Sequence, residues 1–535
     1  MASCASAIVS LLRAYGVDTV FGIPGVHTIE LYRALPESGI RHVTPRHEQG
    51  AAFMADGYAR STGRPGVCIL ISGPGLTNAA TPIAQAYSDS VPMLIISAVH
   101  RRKDVGLGRG YLHELKSQRE LMAQITAFSH TLLDTANLRE VLGRAFAVFG
   151  AARPRPVHVE VPIDLMDAEY TGSLMPLATP AKAAPDPDAI KAAADILSQA
   201  NTPILIAGGG AVGAPVELLE TIQRLDAPII LTSAAKGVVP ANHPLNLGAT
   251  IRRKEIRNFI ATSDAVLAIG TELGETDRWA GGESLESGGR LIRIDLDPEQ
   301  IVRLANTSVG IVSDAKAALT SLNRALAELS PAKGRSVGAR RVAAVRESMD
   351  PDWRTDVRHH ALLMKTIADA LPENTIIAAD STQIIYTGVQ DYPSMQPRSW
   401  ITSTTGFGTL GFALPAAIGA KLANPSRPVA CIIGDGGLLF TLSELATAVE
   451  EKAGFPIIVW NNGGYGEIAL YMDRANVTRC GVDLYVPDLC SIAKGFGCLA
   501  ERPNSLSELR DLISTSLSER VPTLLEIRAD ASFLC

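Results

Sequence analysis

The sequence predicts an α/β protein built from doubly wound parallel sheets. Short apolar runs recur along the chain, and each leads into turn residues and then into a segment with helical periodicity. The runs are VCILISGPG, PMLIISA, PVHVEVP, PILIAGGG, DAVLAIG, LIRIDLD, TIIAAD, VACIIGDGG and FPIIVWNN. Because they are apolar throughout, they fit parallel strands that are covered by helices on both faces. A length of 535 residues exceeds what one hydrophobic core usually spans, which favours about three domains.

Two segments interrupt this pattern and divide the chain. Residues from about 168 to 188 and from about 330 to 352 are rich in Ala, Pro, Gly and charged side chains and show little apolar periodicity. Such composition is typical of linkers. We therefore predict three domains, each with one parallel sheet, at residues 1–170, 186–332 and 353–530.

Composition excludes several classes of function. The net charge of −6 and the scattered Lys and Arg residues offer no basic surface to a nucleic acid. The chain shows no secretory leader and no apolar stretch of about 18 residues, so we expect a soluble, cytoplasmic protein without membrane contact.

Seven cysteines without a CxxC pair predict reduced thiols. A zinc site of Cys480, Cys490 and Cys498 is not expected, because zinc knuckles have closer spacing.

Two loops near the C-terminus have the residues of a metal and diphosphate site. The run VACII leads into GDGG at residues 434–437, and FPIIVW leads into NNGG at residues 461–464. Asn462 follows Asp435 by 27 residues, the length of one βαβ unit, so both lie at the carboxyl ends of neighbouring strands. Glycines let a diphosphate approach the backbone, and carboxylate, amide and carbonyl oxygens suit Mg²⁺. Taken singly, either loop could be an ordinary turn.

GDG followed by NN at this distance resembles the signature of thiamine-diphosphate enzymes. The resemblance implies thiamine diphosphate and Mg²⁺ as cofactors. It implies three metal ligands, which are the side chains of Asp435 and Asn462 and the carbonyl of Gly464. It also implies cofactor contacts from residues around these loops, namely Gly434, Gly436, Gly437 and Tyr465.

The segment PRHEQGAAFMADGYA at residues 45–59 resembles the acetolactate synthase and benzoylformate decarboxylase superfamily. The resemblance makes Glu48 the carboxyl that hydrogen-bonds N1′ of the cofactor's aminopyrimidine and so promotes loss of the thiazolium C2 proton. We expect Glu48 to be buried, because burial favours the neutral form that can share a proton. Without these flanking residues, a helix-capping glutamate would be the simpler interpretation.

Other loops extend the resemblance over nearly the whole chain. FGIPG at 21–25 and ISGPGLTN at 71–78 match loops that line the pyrimidine pocket, DSTQ at 380–383 matches a diphosphate loop, and GFGTLGFALP at 406–415 matches the loop that bends the cofactor. The implied contacts are Pro24, Gly25, Asn78, Thr382, Gln383, the Gly408 carbonyl and the apolar wedge Leu410. As an alternative, Leu410 is an ordinary core residue. Relatives place Glu48 and the diphosphate loops on different subunits, which implies a homodimer or homotetramer.

The central domain contains GGGAVG at residues 208–213, which satisfies the dinucleotide pattern GxGxxG. The following strand ends in Ser233 instead of an acidic residue that would hold a ribose. The stretch at residues 247–250 reads LGAT, whereas the FAD-binding acetolactate synthases have a GMHG-like loop. We therefore do not expect FAD.

Two histidines favour decarboxylation. His113 aligns with the first His of a His-His pair in pyruvate and indolepyruvate decarboxylases and with Gln in acetolactate synthases, while the second His is replaced by Glu114. An imidazole can deliver the proton that turns the decarboxylated substrate into an aldehyde, which an amide cannot do. His27 follows the FGIPG loop and is a second candidate. Each could instead be a loop histidine that hydrogen-bonds the backbone.

Glu467 follows the NNGG loop at a position that faces the substrate in relatives and is usually small or apolar there. A carboxylate there would pair with a guanidinium, and NNGGYGEI resembles the 5-guanidino-2-oxopentanoate decarboxylases. As an alternative, Glu467 pairs with Arg474 along its helix. The leading hypothesis is a non-oxidative 2-oxo acid decarboxylase, a carbon–carbon lyase. An acetolactate-synthase-like carboligase is second, and a non-catalytic protein on the same fold is third.

Overall fold

The computed structural model describes residues 2–278, 288–303, 306–349 and 358–534. The chain forms two compact units. The first unit comprises residues 1–181, 377–382 and 407–531, and the second comprises residues 182–376, 383–406 and 532–535.

The N-terminal part of the first unit is a parallel sheet of six strands in the order β3-β2-β4-β5-β7-β6. A short antiparallel pair, β1 with β8, lies outside this sheet. The strands are β1 (Ala2–Ser3), β2 (Thr19–Phe21), β3 (Arg41–Val43), β4 (Gly66–Leu70), β5 (Met93–Val99), β6 (Phe128–Thr131), β7 (Val157–Pro162) and β8 (Glu169–Tyr170). The helices are α1 (Cys4–Ala14), α2 (Ile29–Ala34), α3 (Glu48–Thr62), α4 (Pro74–Ser88), α5 (Gln118–Ala123), α6 (Leu138–Ala151) and α7 (Ile163–Met166).

The second unit contains a parallel sheet of five strands in the order β10-β9-β11-β12-β13. The strands are β9 (Pro203–Ala207), β10 (Ile229–Leu231), β11 (Ala265–Ile269), β12 (Arg290–Asp295) and β13 (Thr307–Val312). The helices are α8 (Pro187–Gln199), α9 (Pro215–Leu225), α10 (Lys254–Ala261), α11 (Glu275–Arg278), α12 (Pro298–Val302), α13 (Ala315–Ala327) and α14 (Gly338–Ser348).

The C-terminal strands are β14 (Ile376–Ala379), β15 (Trp400–Thr402), β16 (Val429–Gly434), β17 (Pro456–Asn461), β18 (Leu499–Glu501) and β19 (Thr523–Arg528). The C-terminal helices are α15 (Arg358–Ala370), α16 (Gln383–Asp391), α17 (Ala413–Ala423), α18 (Asp435–Thr441), α19 (Glu444–Glu450), α20 (Gly466–Arg474), α21 (Leu489–Gly495) and α22 (Leu506–Ser516). Within the first unit the strands lie side by side in the order β14-β16-β17-β19-β18. Helices α15 and α16 and strand β15 belong to the second unit.

Burial on both faces of the strands explains the uninterrupted apolar runs. In β9, Leu205 and Ala207 pack into one core cluster while Ile204 and Ile206 pack into another. Side chains alternate between the two faces of a strand, so each face of this sheet has its own apolar cover. The prediction of an α/β fold with parallel sheets is confirmed.

The second predicted linker is partly wrong. Residues 338–348 form helix α14, and Val342 in it is buried in the core of the second unit. Val345 and Met349 pack against the same core, so an apolar stripe at positions 342, 345 and 349 holds this Ala- and Arg-rich helix in place. The end of that segment, residues 350–352, lies outside the described residues. The first predicted linker has no regular structure between Tyr170 and Pro187.

The glycine-rich loop after β9 supports packing within the second unit. The N–H of Gly208 donates to Ile269 at 2.9 Å, and the N–H of Gly210 donates to Gly270 at 3.0 Å. A Cβ on Gly208 would lie 2.4 Å from the Gly270 oxygen. These N–H groups and glycines therefore hold two strand-end loops together. In the described part of the chain, no helix has the length and apolar character needed to cross a membrane.

Candidate functional site

The GDGG and NNGG loops leave the sheet next to each other. Strand β16 ends at Gly434 and β17 ends at Asn461, and the two strands pair with Gly434 opposite Trp460. Asp435 and Asn462 follow directly. Because parallel strands end at a common edge of the sheet, the two predicted metal ligands lie side by side there.

The Asp435 carboxylate ties these two loops together. Backbone N–H groups of Gly436, Gly463 and Asn462 donate to it. Burial raises the pKa of Asp435, and these donors act in the opposite direction. The side-chain oxygen of Asn462 accepts from the Gly464 N–H at 3.3 Å, so the amide lies over its own loop. The loops thus gather carboxylate, amide and carbonyl oxygens, the hard ligands that Mg²⁺ takes, and the residues fit the expected metal.

The shape of the NNGG loop requires glycine at position 464. Gly464 has φ 156°, and a Cβ there would lie 2.1 Å from the Val482 oxygen. The N–H of Tyr465 donates to Val482 at 2.8 Å, and the N–H of Leu484 donates to Gly463 at 3.0 Å. The 482–484 segment therefore fixes the loop and the direction of its carbonyl groups.

The glycines of the GDGG loop border the other predicted cofactor contacts. A Cβ on Gly434 would lie 2.8 Å from the Thr382 hydroxyl, and one on Gly436 would lie 3.0 Å from the Tyr465 ring. Gly437 similarly borders the Asp380 carboxylate at 3.0 Å. These predicted residues come together around one backbone cradle in which larger side chains would clash. Such a cradle fits the diphosphate expected from the sequence. Gln383 begins α16 in the second unit.

Asp380 connects the DSTQ loop to the loop that contains Gly408 and Leu410. Its carboxylate accepts from the Ser381 N–H at 2.7 Å and from the Gly411 N–H at 2.8 Å. Burial raises the pKa of Asp380 to about 6, although these N–H groups favour the ionised form. Gly408 is exposed with φ 72°, and Leu410 is half-buried. The alternative of Leu410 as a fully buried core residue is therefore not favoured.

Glu48 is the first residue of α3, as expected for either role. The Asn78 amide donates to its Oε2 at 2.9 Å, so two residues predicted to surround the pyrimidine are in contact. The expectation that Glu48 is buried is wrong for the single chain, where it is half-buried. The first turn of a helix at the edge of a sheet leaves one side of the carboxyl open to solvent.

Glu444 supports the start of this helix and was missed in the sequence. It is the first residue of α19 and is fully buried. Its carboxylate accepts from the backbone N–H groups of Arg46, at 3.0 and 3.1 Å, and of His47, at 3.1 Å. These are the two residues before Glu48. The GDGG motif, which ends seven residues upstream, was the signal nearby, and it does not indicate which glutamate side chain is buried.

The FGIPG loop is held against the ISGPGLTN loop. A Cβ on Gly25 would lie 2.1 Å from the Ile71 side chain, and the Gly25 N–H donates to the Thr28 hydroxyl at 3.1 Å. Pro24, beside Gly25, is exposed at the same edge of the sheet. The two loops predicted to line the pyrimidine pocket are therefore neighbours.

Three histidines cluster at this edge. The ring centroid of His27 lies 5.4 Å from that of His100 and 5.5 Å from that of His113. Burial lowers the pKa of His27, and the charges of the other two rings lower it further. The sequence analysis missed His100, which follows β5 directly and donates from Nε2 to the Leu112 carbonyl at 2.8 Å. Its position just beyond the carboxyl end of a parallel strand was the available signal.

His27 and His113 are held in different ways. The His27 Nδ1 lies 2.5 Å from the Ser72 hydroxyl, a side-chain contact instead of the backbone bond of the alternative interpretation. The Nδ1 of His113 is buried and makes no hydrogen bond to any described residue. His113 also has φ 65°, an uncommon value for a residue with a side chain. An unsatisfied buried nitrogen on a strained backbone is typical of a functional position.

Glu114 shapes the loop that presents His113. Its carboxylate accepts from the backbone N–H groups of Gly108, Gly110 and Tyr111 at 2.7 to 3.0 Å. The residue that replaces the second His of relatives thus has a structural role here, because it closes the turn before His113.

Glu467 is the second residue of α20, directly after the NNGG loop, and is half-buried. Arg474 is the last residue of the same helix. Seven residues correspond to a rise of about 10 Å, beyond the usual i,i+4 spacing. Helix geometry therefore disfavours a direct pair of these two residues.

The three cysteines considered for zinc do not gather. Among the described residues, the one group with three potential ligand atoms close together is Asp488, Cys490 and Glu526. Arg502 lies 2.5 Å from Asp488 and 2.7 Å from Glu526. One guanidinium thus bridges both carboxylates and occupies the place that a cation would take between them.

Three family models match the chain. The N-terminal TPP binding domain of thiamine pyrophosphate enzymes matches residues 2–121, their central domain matches residues 190–322, and their C-terminal TPP binding domain matches residues 380–527.

Several named proteins align with almost the full chain. The chain is 44% identical to the probable 2-ketoarginine decarboxylase of Pseudomonas aeruginosa, over 98% of this chain and 93% of that protein. It is 32% identical to the probable acetolactate synthase large subunit of Methanococcus aeolicus, over 99% and 92% of the two chains. It is also 32% identical to the acetolactate synthase isozyme 1 large subunit of Escherichia coli, over 98% and 93%.

Proposed function

Because the chain belongs to the thiamine pyrophosphate enzyme family, we propose that it is a non-oxidative 2-oxo acid decarboxylase whose substrate is 5-guanidino-2-oxopentanoate. The products would be 4-guanidinobutanal and CO₂. The three-histidine cluster beside the pyrimidine loops is the observation that carries decarboxylation. The relative named as a probable 2-ketoarginine decarboxylase supports the choice of substrate, since 2-ketoarginine is the same compound.

Bound thiamine diphosphate would accept the electron pair that is left when CO₂ departs. In this proposal Glu48, held by Asn78, supports the pyrimidine ring at N1′. The Gly408 carbonyl would accept from the cofactor's 4′-amino group, Leu410 would pack against it as an apolar wedge, and Pro24 and Gly25 would line the pyrimidine pocket. Residues at the carboxyl edge of the first unit's C-terminal sheet would hold its diphosphate, namely Thr382, Gly434, Gly436, Gly437 and Tyr465. The proposed ligands of Mg²⁺ are the side chains of Asp435 and Asn462 and the Gly464 carbonyl, which the hard-oxygen character of the two loops supports.

Decarboxylation needs one proton at the carbon that has lost CO₂. His113 and His27 are the proposed donors, because an imidazole exchanges protons near neutral pH. Burial and the nearby rings of His100 and His113 lower the pKa of His27. The charged form of His27 would therefore give up its proton more readily to a substrate.

Glu467 is proposed to bind the guanidinium of the substrate. A charge-assisted hydrogen bond contributes about 1.5–3 kcal/mol, or at least about tenfold in kcat/KM. Glu467→Gln should therefore lower kcat/KM for 5-guanidino-2-oxopentanoate by about tenfold or more and leave that for pyruvate nearly unchanged. Steady-state kinetics with both acids measures this. Equal losses on both would assign Glu467 to the chemical step, and a wild-type preference for pyruvate would reject the proposed substrate.

The second candidate function is an acetolactate-synthase-like carboligase. The acetolactate synthase relatives, at 32% identity over almost the full chain, favour it. Chromatography of the products formed from pyruvate separates the two candidates. Acetolactate as the main product would replace the decarboxylase by the carboligase, whereas an aldehyde from the guanidino acid would support the decarboxylase.

We also propose that the active enzyme is a homodimer or homotetramer. Large apolar side chains are exposed around the candidate site in the first unit, namely Val26, Ile29, Phe407, Phe440, Ile468 and Tyr485. A second copy of the chain would cover such a surface. A fully active monomer in analytical ultracentrifugation would reject the assembly.

The six described cysteines are unpaired, which supports the proposed cytoplasmic location.

A further inference from the structure

A series of hydrogen bonds connects the NNGG loop with the neighbouring strand β19. It starts at Asn461, the asparagine that precedes the proposed metal ligand. The Asn461 amide NH₂ donates to Glu526 Oε1 at 2.6 Å, and its Oδ1 accepts from the Gly463 N–H at 3.1 Å. Glu526 lies on β19, which pairs directly with β17. One side chain thus connects the neighbouring strand with the turn of the loop.

The Glu526 side chain is almost fully buried, with 4% of its surface exposed, and has a cationic partner. Arg502 Nε donates to Glu526 Oε2 at 2.7 Å, and another nitrogen of this guanidinium donates to Asp488 at 2.5 Å. Asp488 in turn caps helix α21 through the Ser491 N–H at 3.2 Å. The carboxylate of Glu526 is therefore fixed by partners that are themselves anchored.

We propose that Glu526 is a positioning residue that orients the metal loop through Asn461. A carboxylate paired with a guanidinium only accepts hydrogen bonds, so the Asn461 amide must turn its NH₂ towards it. The amide oxygen then faces the Gly463 N–H and stabilises the turn at Gly463, where φ is 78°. This turn sets the direction of the Asn462 side chain. The inference rests on the proposed Mg²⁺ site.

Glu526→Gln tests the inference with little change in volume. A glutamine amide can donate or accept, so it no longer dictates the orientation of Asn461. Residues that orient metal ligands typically contribute about 10- to 100-fold to metal affinity. At saturating thiamine diphosphate, we expect about tenfold weaker Mg²⁺ affinity in Glu526→Gln. The readout is the tryptophan fluorescence of the protein, since buried Trp460 adjoins the loop. Turnover should return towards the wild-type kcat as Mg²⁺ is raised.

Glu160→Gln is the matched control. Glu160 is a buried glutamate on β7 of the N-terminal sheet, where it accepts from the Thr131 hydroxyl at 2.5 Å. It should lose a comparable buried hydrogen bond and keep the wild-type Mg²⁺ affinity. Equal loss of Mg²⁺ affinity in both variants would show general destabilisation and overturn the proposal.

Asp435→Ala separates this inference from the proposed metal site. If Asp435→Ala loses Mg²⁺ binding while Glu526→Gln stays within twofold of the wild type, the role of Glu526 is refuted and the metal site stands. If Asp435→Ala also keeps its Mg²⁺ affinity, the proposed metal site is itself wrong. Should Glu526→Gln fail to fold, Asn461→Ala removes the same connection at a half-buried position and is judged by the same Mg²⁺ titration.

Discussion

Replacing Glu444 by alanine should impair catalysis by loosening the start of the helix that presents Glu48. The buried carboxylate accepts from two consecutive backbone N–H groups, those of Arg46 and His47, and from the Thr447 hydroxyl at 2.7 Å. A Cβ on Gly50, in the first turn of α3, would lie 2.2 Å from its Oε1. The helix start is therefore packed directly on this carboxylate.

The contacts set the expected magnitude. Each hydrogen bond to a charged acceptor contributes about 1.5–3 kcal/mol, and the three do not add fully. A buried donor left without its partner typically costs about 1–3 kcal/mol, so we expect the loss of one acceptor shared by three donors to lower the free energy of unfolding of Glu444→Ala by about 3–5 kcal/mol. A shift of about 1 Å in a catalytic group reduces turnover about 100-fold. We therefore expect kcat to fall by about that factor, and by less in Glu444→Gln, which keeps one acceptor oxygen.

The assay is turnover at saturating thiamine diphosphate and Mg²⁺, together with urea denaturation. Glu450→Ala is the control, because Glu450 lies on the same helix and pairs with the Arg46 side chain while 57% of its own side chain is exposed. A surface ion pair contributes about 0–1 kcal/mol, so this variant should remain close to the wild type. Wild-type kcat in folded Glu444→Ala would refute the reasoning. An equal loss of kcat in Glu450→Ala would show that the surface ion pair of Arg46 and Glu450 is responsible instead.

Three further predictions address the proposed roles. Glu48→Gln should retain cofactor affinity and lose at least about 100-fold in kcat, since it removes only the activation of the pyrimidine; near-normal turnover would contradict the assignment. The folded-state pKa of Asp380, about 6, is above the ordinary 3.8, so its contribution to stability is present below about pH 4 and is lost as pH rises through 6. Asp380→Asn should flatten the pH dependence of unfolding in urea by up to about 3 kcal/mol between pH 4 and pH 7, and an unchanged dependence would exclude Asp380 as its source. His100→Asn should raise the lowered pKa of His27 by removing one nearby charge, which should move the alkaline limb of the kcat/KM profile to higher pH; a limb that stays in place would exclude the coupling.

The sheets could be predicted because burial on both faces leaves a direct pattern in sequence. Runs such as VACIIG and PIIVW have no polar position to accommodate solvent, and both lie in strands. Three-residue strands such as Arg41–Val43 leave too short a pattern, and Arg41 in it is exposed. Helix α14 was missed because four of its eleven residues are Arg or Glu and its stability comes from three apolar contacts with the second unit.

The loops proposed to hold metal and diphosphate could be found in the sequence because each is a short local run of residues. Gly464 has a positive φ that favours glycine over other residues. The separation of 27 residues between Asp435 and Asn462 corresponds to the length of one βαβ unit. Glu444 and Glu526 could not be predicted in the same way. Each acts on a loop that is distant in sequence, Glu444 on residues 46–47 and Glu526 on Asn461, and only the folded sheet brings them together.

The charge balance of the histidine cluster depends in the same way on the folded sheet. His27 follows β2, whereas His100 and His113 both lie in the loop between β5 and α5. Burial and repulsion from the other two rings, which exist only once the fold brings the ends of β2 and β5 to one edge of the sheet, lower the pKa of His27. A substitution at His100 therefore changes proton delivery even where His100 does not touch the substrate, because the charge it removes acts on its neighbour. For this reason a proton donor can be proposed from sequence, but the pH at which it would work depends on which ring the fold places beside it.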